Sequence, residues 1–279
     1  MQGERPANGG RGGNVFPRAG KTTKRQEEEK AMRCRMREQI TDSGAYREVK
    51  IYPVYGEATS GKRRKRYRPT SEAQQRLNDW NSQRHLAQLI EENFSSNDTW
   101  IHPTFRDDAL PENDDAFKRI FRNFIRRLKR AYKASGAELK YIAVLERSDT
   151  GRYHIHMIVN QVLTPAALRD LWNMGRVGVD PLEFGEHGLQ GLAEYMTKYR
   201  LITRRYLFSR NLRQPQRMER DGRFSQRDAR ALARNPEDRM QWERLYPGYT
   251  FINCRPFYNA LTGGQYICVR MWKPGRRRQ

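Results

Sequence analysis

Apolar positions recur at helical spacing most clearly between Phe117 and Tyr132. Phe117, Ile120, Phe121, Phe124, Ile125, Leu128 and Tyr132 line one side of a helix, and Lys118, Arg119, Arg122, Arg126, Lys129 and Arg130 fill the rest of its circumference. A turn at 111–115 precedes this helix and Ser135-Gly136 ends it. Two strand-like runs follow, Leu139–Glu146 and Arg152–Asn160, joined by the turn Ser148-Asp149-Thr150-Gly151. They predict an antiparallel hairpin with glycine at a position of positive φ. Further along, Thr164-Pro165 opens a helix through Trp172, residues 176–179 form a short strand, and a helix runs from about Gln190 to Arg200.

The flanking regions are less periodic. Val49–Tyr55 predicts a short strand, which Pro53 assigns to a sheet edge. Ser71-Glu72-Ala73-Gln74 has capping-box spacing and opens a helix to about Ile90. Trp100–Arg106 is strand-like despite Pro103. Residues 204–208, 249–254 and 265–270 also read as strands, with a short helix at 226–234. Residues 1–45 offer no core-forming period and read as a disordered basic arm, within which 26–39 suits a solvated helix. The expected organisation is this arm, an accessory DNA-contacting strand and helix over 46–97, one catalytic domain over 98–273, and a basic tail at 274–279. The fold class is α+β, a central antiparallel sheet with helices packed on it.

Composition sharpens the picture. The 279-residue chain carries 54 Lys+Arg against 32 Asp+Glu, a net charge of +22. With a mean hydropathy of −1.00, this points to a polyanionic partner, nucleic acid first. No apolar run approaches the ~20 residues of a membrane span, and no signal peptide is evident, so no membrane partner is expected and the compartment reads as cytoplasmic. Three cysteines without paired spacing (Cys34, Cys254, Cys268) fit a reducing compartment. Gly56–Lys62 nearly spells a phosphate loop. However, Arg63 stands where a Ser or Thr must hold magnesium, and a basic run ended by Pro69 follows instead of a helix. This excludes a built-in ATPase or helicase motor. Lys62, Arg63, Arg64, Lys65, Arg66 and Arg68 read instead as a DNA-contacting segment.

The candidate chemistry sits in the second hairpin strand. In His154-Ile155-His156 the two imidazoles share one strand face. That spacing fits either a shared divalent cation or two ordinary histidines on a solvated face. The hairpin brings Glu146 beside them. Two imidazoles and a carboxylate leave positions open for a substrate oxygen and suit Mg2+ or Mn2+. Tyr195 and Tyr199 lie four apart on the following helix, with Lys198 beside them.

The chain resembles the HUH endonuclease superfamily, in its two-tyrosine replication-initiator branch. His154-Ile155-His156 matches the histidine motif, and Tyr195-Met196-Thr197-Lys198-Tyr199 matches Tyr-x-x-Lys-Tyr, in the family's order. Trp100–Phe105 resembles the family's first strand motif, although His102-Pro103 departs from it. The stretch 204–215, with Arg204 and Arg205, is similar to phage-type replication proteins and adds candidate DNA contacts. The resemblance covers about residues 98–215 and implies an HUH/RRM-like palm that nicks and rejoins single-stranded DNA at a replication origin. It implies metal ligands His154, His156 and Glu146, nucleophiles Tyr195 and Tyr199, and Lys198 as a charge stabiliser. A 5′-phosphotyrosine would form and a free 3′-OH would prime synthesis, with strand separation left to a host helicase in a bacterial cytoplasm. A two-tyrosine transposase or mobilisation protein shares this site. A non-catalytic nucleic-acid-binding module shares the layout, but would present aromatic residues where this strand has histidines.

Overall fold

The computed structural model describes residues 34–55, 72–185, 188–197, 200–201, 206–259 and 263–275. Within these the chain is α+β, with two antiparallel sheets and six helices. The first sheet contains β3 (Thr99–Pro103), β4 (Tyr141–Arg147), β5 (Tyr153–Val159) and β6 (Val177–Pro181) in the order β6-β3-β5-β4. Two short strands, β7 (Arg200–Leu201) and β8 (Leu207–Phe208), both pair with β4. The second sheet has the order β10-β11-β2-β1-β9. It is built from β1 (Cys34–Ser43), β2 (Tyr46–Tyr55), β9 (Gln216–Asp221), β10 (Thr250–Asn259) and β11 (Gly264–Trp272).

The helices are α1 (Glu72–Asn93), α2 (Asp114–Ala134), α3 (Pro165–Leu171), α4 (Gln190–Met196), α5 (Gln226–Arg234) and α6 (Arg239–Leu245). Among the described residues no helix is long and apolar enough to cross a membrane. The strongest periodicity in the sequence becomes α2. Asn113 caps it by accepting from the Asp115 and Ala116 N–H groups, at 3.1 and 2.9 Å. Its buried residues Phe117, Phe121, Phe124 and Leu128 meet Leu145, Ile155 and Met157 on one face of the first sheet. Gly151 turns the β4–β5 hairpin at φ 82°, where a side chain would be strained.

The opposite face of that sheet, through Ile142, Val144 and Ile158, packs on α1 and α4. Helix α1 is sandwiched between the two sheets. Its apolar side (Leu86, Ala87, Leu89, Ile90) serves the first sheet. Its polar side serves the second: the Arg84 Nε and Gln88 Nε2 donate to Glu48, both at 2.7 Å, and Glu91 pairs with Arg270. Burial pushes the Glu91 carboxyl up, with Arg270 opposing that shift. Removing one member of such a buried pair typically costs about 3–5 kcal/mol, because its partner is left charged and unpaired.

The second sheet departs from the sequence reading. Residues 34–43, assigned above to a disordered arm, form β1 in mid-sheet, and no helix occupies the described part of 26–39. Alternate residues Met36 and Ile40 enter a core with Trp242, Val269 and Met271, while Arg35 and Arg37 between them mask the period. Strand β2 is interior, between β1 and β11, and not at an edge. Pairing with β11 stops at Ile51, so Pro53 interrupts no ladder on that flank. The expected single domain over 98–273 divides between the sheets: β9, β10 and β11 complete the sheet begun by β1 and β2. The near-phosphate loop and the basic run after it lie outside the described residues.

Candidate active site

Register decides what shares a face. Glu146 pairs directly opposite His154, and Val144 opposite His156. Ile155 points into the α2 core, so both histidines and Glu146 project to the α4 side. The imidazoles lie side by side, centroids 6.5 Å apart and planes 12° from parallel. They are less solvated than the sequence reading supposed: His156 is buried at 8% exposure and Glu146 at 2%, while His154 is half-buried. His156 Nε2 and Glu146 Oε1 share a hydrogen bond at 2.7 Å.

Helix α4 delivers Tyr195 to this face. Leu189, Ala193 and Met196 sit in the core beneath, and the Leu189 N–H donates to Glu91 Oε1 at 3.1 Å. This leaves Tyr195 half-exposed at 49%, with its ring edge-on to His156 at 5.5 Å. The helix is shorter than expected: Met196 is its last residue, and the Thr197 hydroxyl donates back to the Ala193 carbonyl at 2.8 Å. Instead of continuing a helix, Arg200–Leu201 forms β7, pairing with Arg147 and Glu146. The tyrosine segment therefore begins beside His156 and returns to the backbone of Glu146. Lys198, Tyr199, Arg204 and Arg205 lie outside the described residues, as do Lys62 to Arg68.

Two residues on this face escaped the sequence reading, which kept their strand as scaffold. Trp100 stacks on His156 at 6.2 Å, meets the Tyr195 ring edge-on at 5.7 Å and leans on His102 at 5.3 Å. Its Nε1 is buried without a hydrogen-bond partner. His102 stands next along the same face, its Nδ1 3.5 Å from Asp180 Oδ2. The signal was present as alternation: Trp100 and His102 against Ile101 and Pro103. It became meaningful only because β3 lies beside β5.

The donor set suits a divalent cation. Burial lowers the His154 pKa below its ordinary value, with Glu146 opposing, so the imidazole tends toward the neutral, metal-ligating form. Glu146 Oε2 and His156 Nδ1 are buried with no hydrogen-bond partner. Buried polar atoms are normally satisfied, so such orphans call for a ligand or ion as their explanation. Among the described residues no group of three or more His, Cys, Asp or Glu is set up to hold an ion. The hydrogen bond at His156 Nε2 accounts for this, because it must open before that nitrogen can ligate.

Residues 99–201 match the family model for replication-associated proteins of the ORF2 type. The matched segment runs from β3 through β7. It therefore carries every described member of the cluster and leaves the five-stranded sheet outside. No curated protein and no solved structure matches the chain. The match is consistent with a replication initiator.

Proposed function

We propose that the chain is a rolling-circle replication initiator, a strand transferase that nicks and rejoins single-stranded DNA. The observation that carries this reading is the Tyr195 ring set edge-on against His156, beside Glu146 and Trp100. Tyr195 is exposed enough to meet a polymer, yet held by two rings. Its phenolic oxygen attacks the scissile phosphorus, the P–O3′ bond breaks, and the proton passes to the departing 3′ oxygen or to solvent. One phosphodiester becomes another, a 5′-phosphotyrosine, so rejoining needs no nucleotide triphosphate. Tyr199, from the matched motif, provides a second acceptor for the rejoining step. Lys198 provides charge for the developing phosphorane.

A phenol with an ordinary pKa near ~10 is a weak nucleophile at neutral pH. His154, His156 and Glu146 would hold Mg2+ or Mn2+, which supplies charge neutralisation at the phosphate. The chain's own residues do the positioning: β5 and β4 set the donors on one face, and Trp100 buttresses both His156 and Tyr195. DNA at an origin is the substrate, and a host helicase is the expected partner, since no complete phosphate-loop motif occurs in the sequence.

The test is to incubate the protein with Mn2+ and a labelled single-stranded oligonucleotide library. A denaturation-resistant protein–DNA adduct is expected, with a free 3′-OH on the released fragment. Absence of any adduct across a broad sequence set overturns the proposal.

A further inference from the structure

The face of the first sheet away from the His/Tyr cluster carries an unexplained groove. Lys118, Arg122, Arg126, Lys129 and Lys133 fall on one stripe of α2. At 1.5 Å per residue the stripe is about 22 Å long. Lys118 is paired with Asp115 at 3.1 Å. Among the described residues the other four have no acidic partner, and all four are exposed.

Opposite the stripe runs β8, fixed to β4 by pairing of Phe208 with Ile142 and by the Ser209 N–H to the Tyr141 carbonyl at 3.0 Å. Phe208 remains 44% exposed. Two cavities, of about 500 and 710 Å3, lie between stripe and strand. The first takes Arg122 and Arg126 as walls, the second Lys129 and Lys133. Both share Tyr141 and Phe208, so they form one continuous trough with an aromatic midpoint. Arg210 adds a cation on the far wall, and the one carboxylate lining the trough, Glu138, accepts from Asn211 at 3.2 Å.

A row of unpaired cations facing an exposed ring is the chemistry that holds a polyanion with free aromatic faces. Phosphates satisfy the cations, and unpaired bases stack on the ring. Duplex DNA offers the phosphates but keeps its base faces stacked. We propose that this trough is a second single-stranded DNA track, separate from the cluster around Tyr195. Arg122, Arg126, Lys129 and Lys133 grip the backbone, and Phe208 stacks a base. The track does not depend on the nicking chemistry. It shares only β4 with that site, with Phe208 paired near one end of the strand and Glu146 near the other.

The experiment uses the full chain in metal-free buffer with a labelled oligothymidine of about 16 nucleotides, the upper end of single-module site sizes. Replacing Arg122, Arg126, Lys129 and Lys133 by Gln is expected to weaken binding at least tenfold. It should also make the plot of log affinity against log salt shallower by about 3, four contacts at roughly 0.7 each. Phe208→Ala alone should weaken binding roughly tenfold. Replacing Arg227, Arg230, Arg234 and Arg244 by Gln, the same charge removed from α5 and α6, should change little. On the unaltered protein, single-stranded DNA should protect Lys129 and Lys133 from amine acylation, and duplex of equal length should not. Equal losses in the two quadruple variants, or unprotected lysines, overturn the proposal. So does equal protection by duplex or by an acidic peptide. Covalent adduct formation on a short oligonucleotide is a separate readout, so failure of either proposal leaves the other standing.

Discussion

Replacing Glu146 separates its structural role from its chemical one. Its carboxylate is 2% exposed, makes one hydrogen bond, to His156, and leaves Oε2 buried and unpartnered. A buried ionised oxygen without a partner costs more than a neutral amide in the same place. Glu146→Gln keeps the shape and one hydrogen bond to His156. Without metal it should therefore melt at the same temperature or higher, by up to about 2 kcal/mol. That is a rise of up to roughly 8 °C at 2–4 °C per kcal/mol for a chain of this size. Glu146→Ala removes the partner of His156 and opens a cavity, and should cost about 2–4 kcal/mol. With Mn2+ at a hundredfold over its dissociation constant, the unaltered protein should gain about 2.7 kcal/mol. Glu146→Gln should gain little, and its DNA adduct should fall at least tenfold. Thermal denaturation with and without Mn2+, followed by the adduct assay, reads all three. The reasoning fails if Glu146→Gln is destabilised by more than about 1 kcal/mol without metal. It fails equally if that variant responds to Mn2+ and forms adduct as the unaltered protein does.

Other outcomes are expected. Tyr195→Phe and Tyr199→Phe should each retain partial adduct formation, with the double variant giving none on denaturing gels. Tyr195→Phe should shift stability by less than about 0.5 kcal/mol, since its ring contacts survive. Burial lowers the pKa of both His154 and His85, so between the lowered values and the ordinary 6.5 the unfolded chain binds more protons than the folded one. Stability should thus be fully present above pH ~6.5 and decline as pH falls through that window; His154→Gln should flatten the decline, read by denaturant titration at several pH values. Gly44 has φ 56° and an added Cβ would strike the Glu91 carbonyl, so Gly44→Ala should lower stability by roughly 2 kcal/mol or more, measured by urea unfolding. Trp100→Ala should lower adduct yield more than it lowers stability, because the ring supports His156 and Tyr195 together.

By itself the sequence determined what local periodicity can specify. It set helix α2, the β4–β5 hairpin and the sharing of one face by His154, His156 and Glu146, because each depends on neighbours close in the chain. Alternation also exposed Trp100 and His102, but gave no partner for them; only the order β3-β5-β4 set them against His156. Strand β1 was illegible because its charges are neutralised from far away. The Arg37 guanidinium meets Glu219 and Asp221 at 2.9 and 2.7 Å, and Gln39 Nε2 meets Glu219 at 2.7 Å, across more than 180 residues. Strand β9 is exposed along its whole length, so no apolar alternation could announce it. The polar side of α1 likewise looked solvated, and became a buried ion-pair seam once Glu48 and Arg270 arrived from the second sheet. Short-range spacing could thus assign which residues bear the chemistry. Long-range pairing decided which of them meet, because strand order and buried charge neutralisation depend on segments that no local window contains.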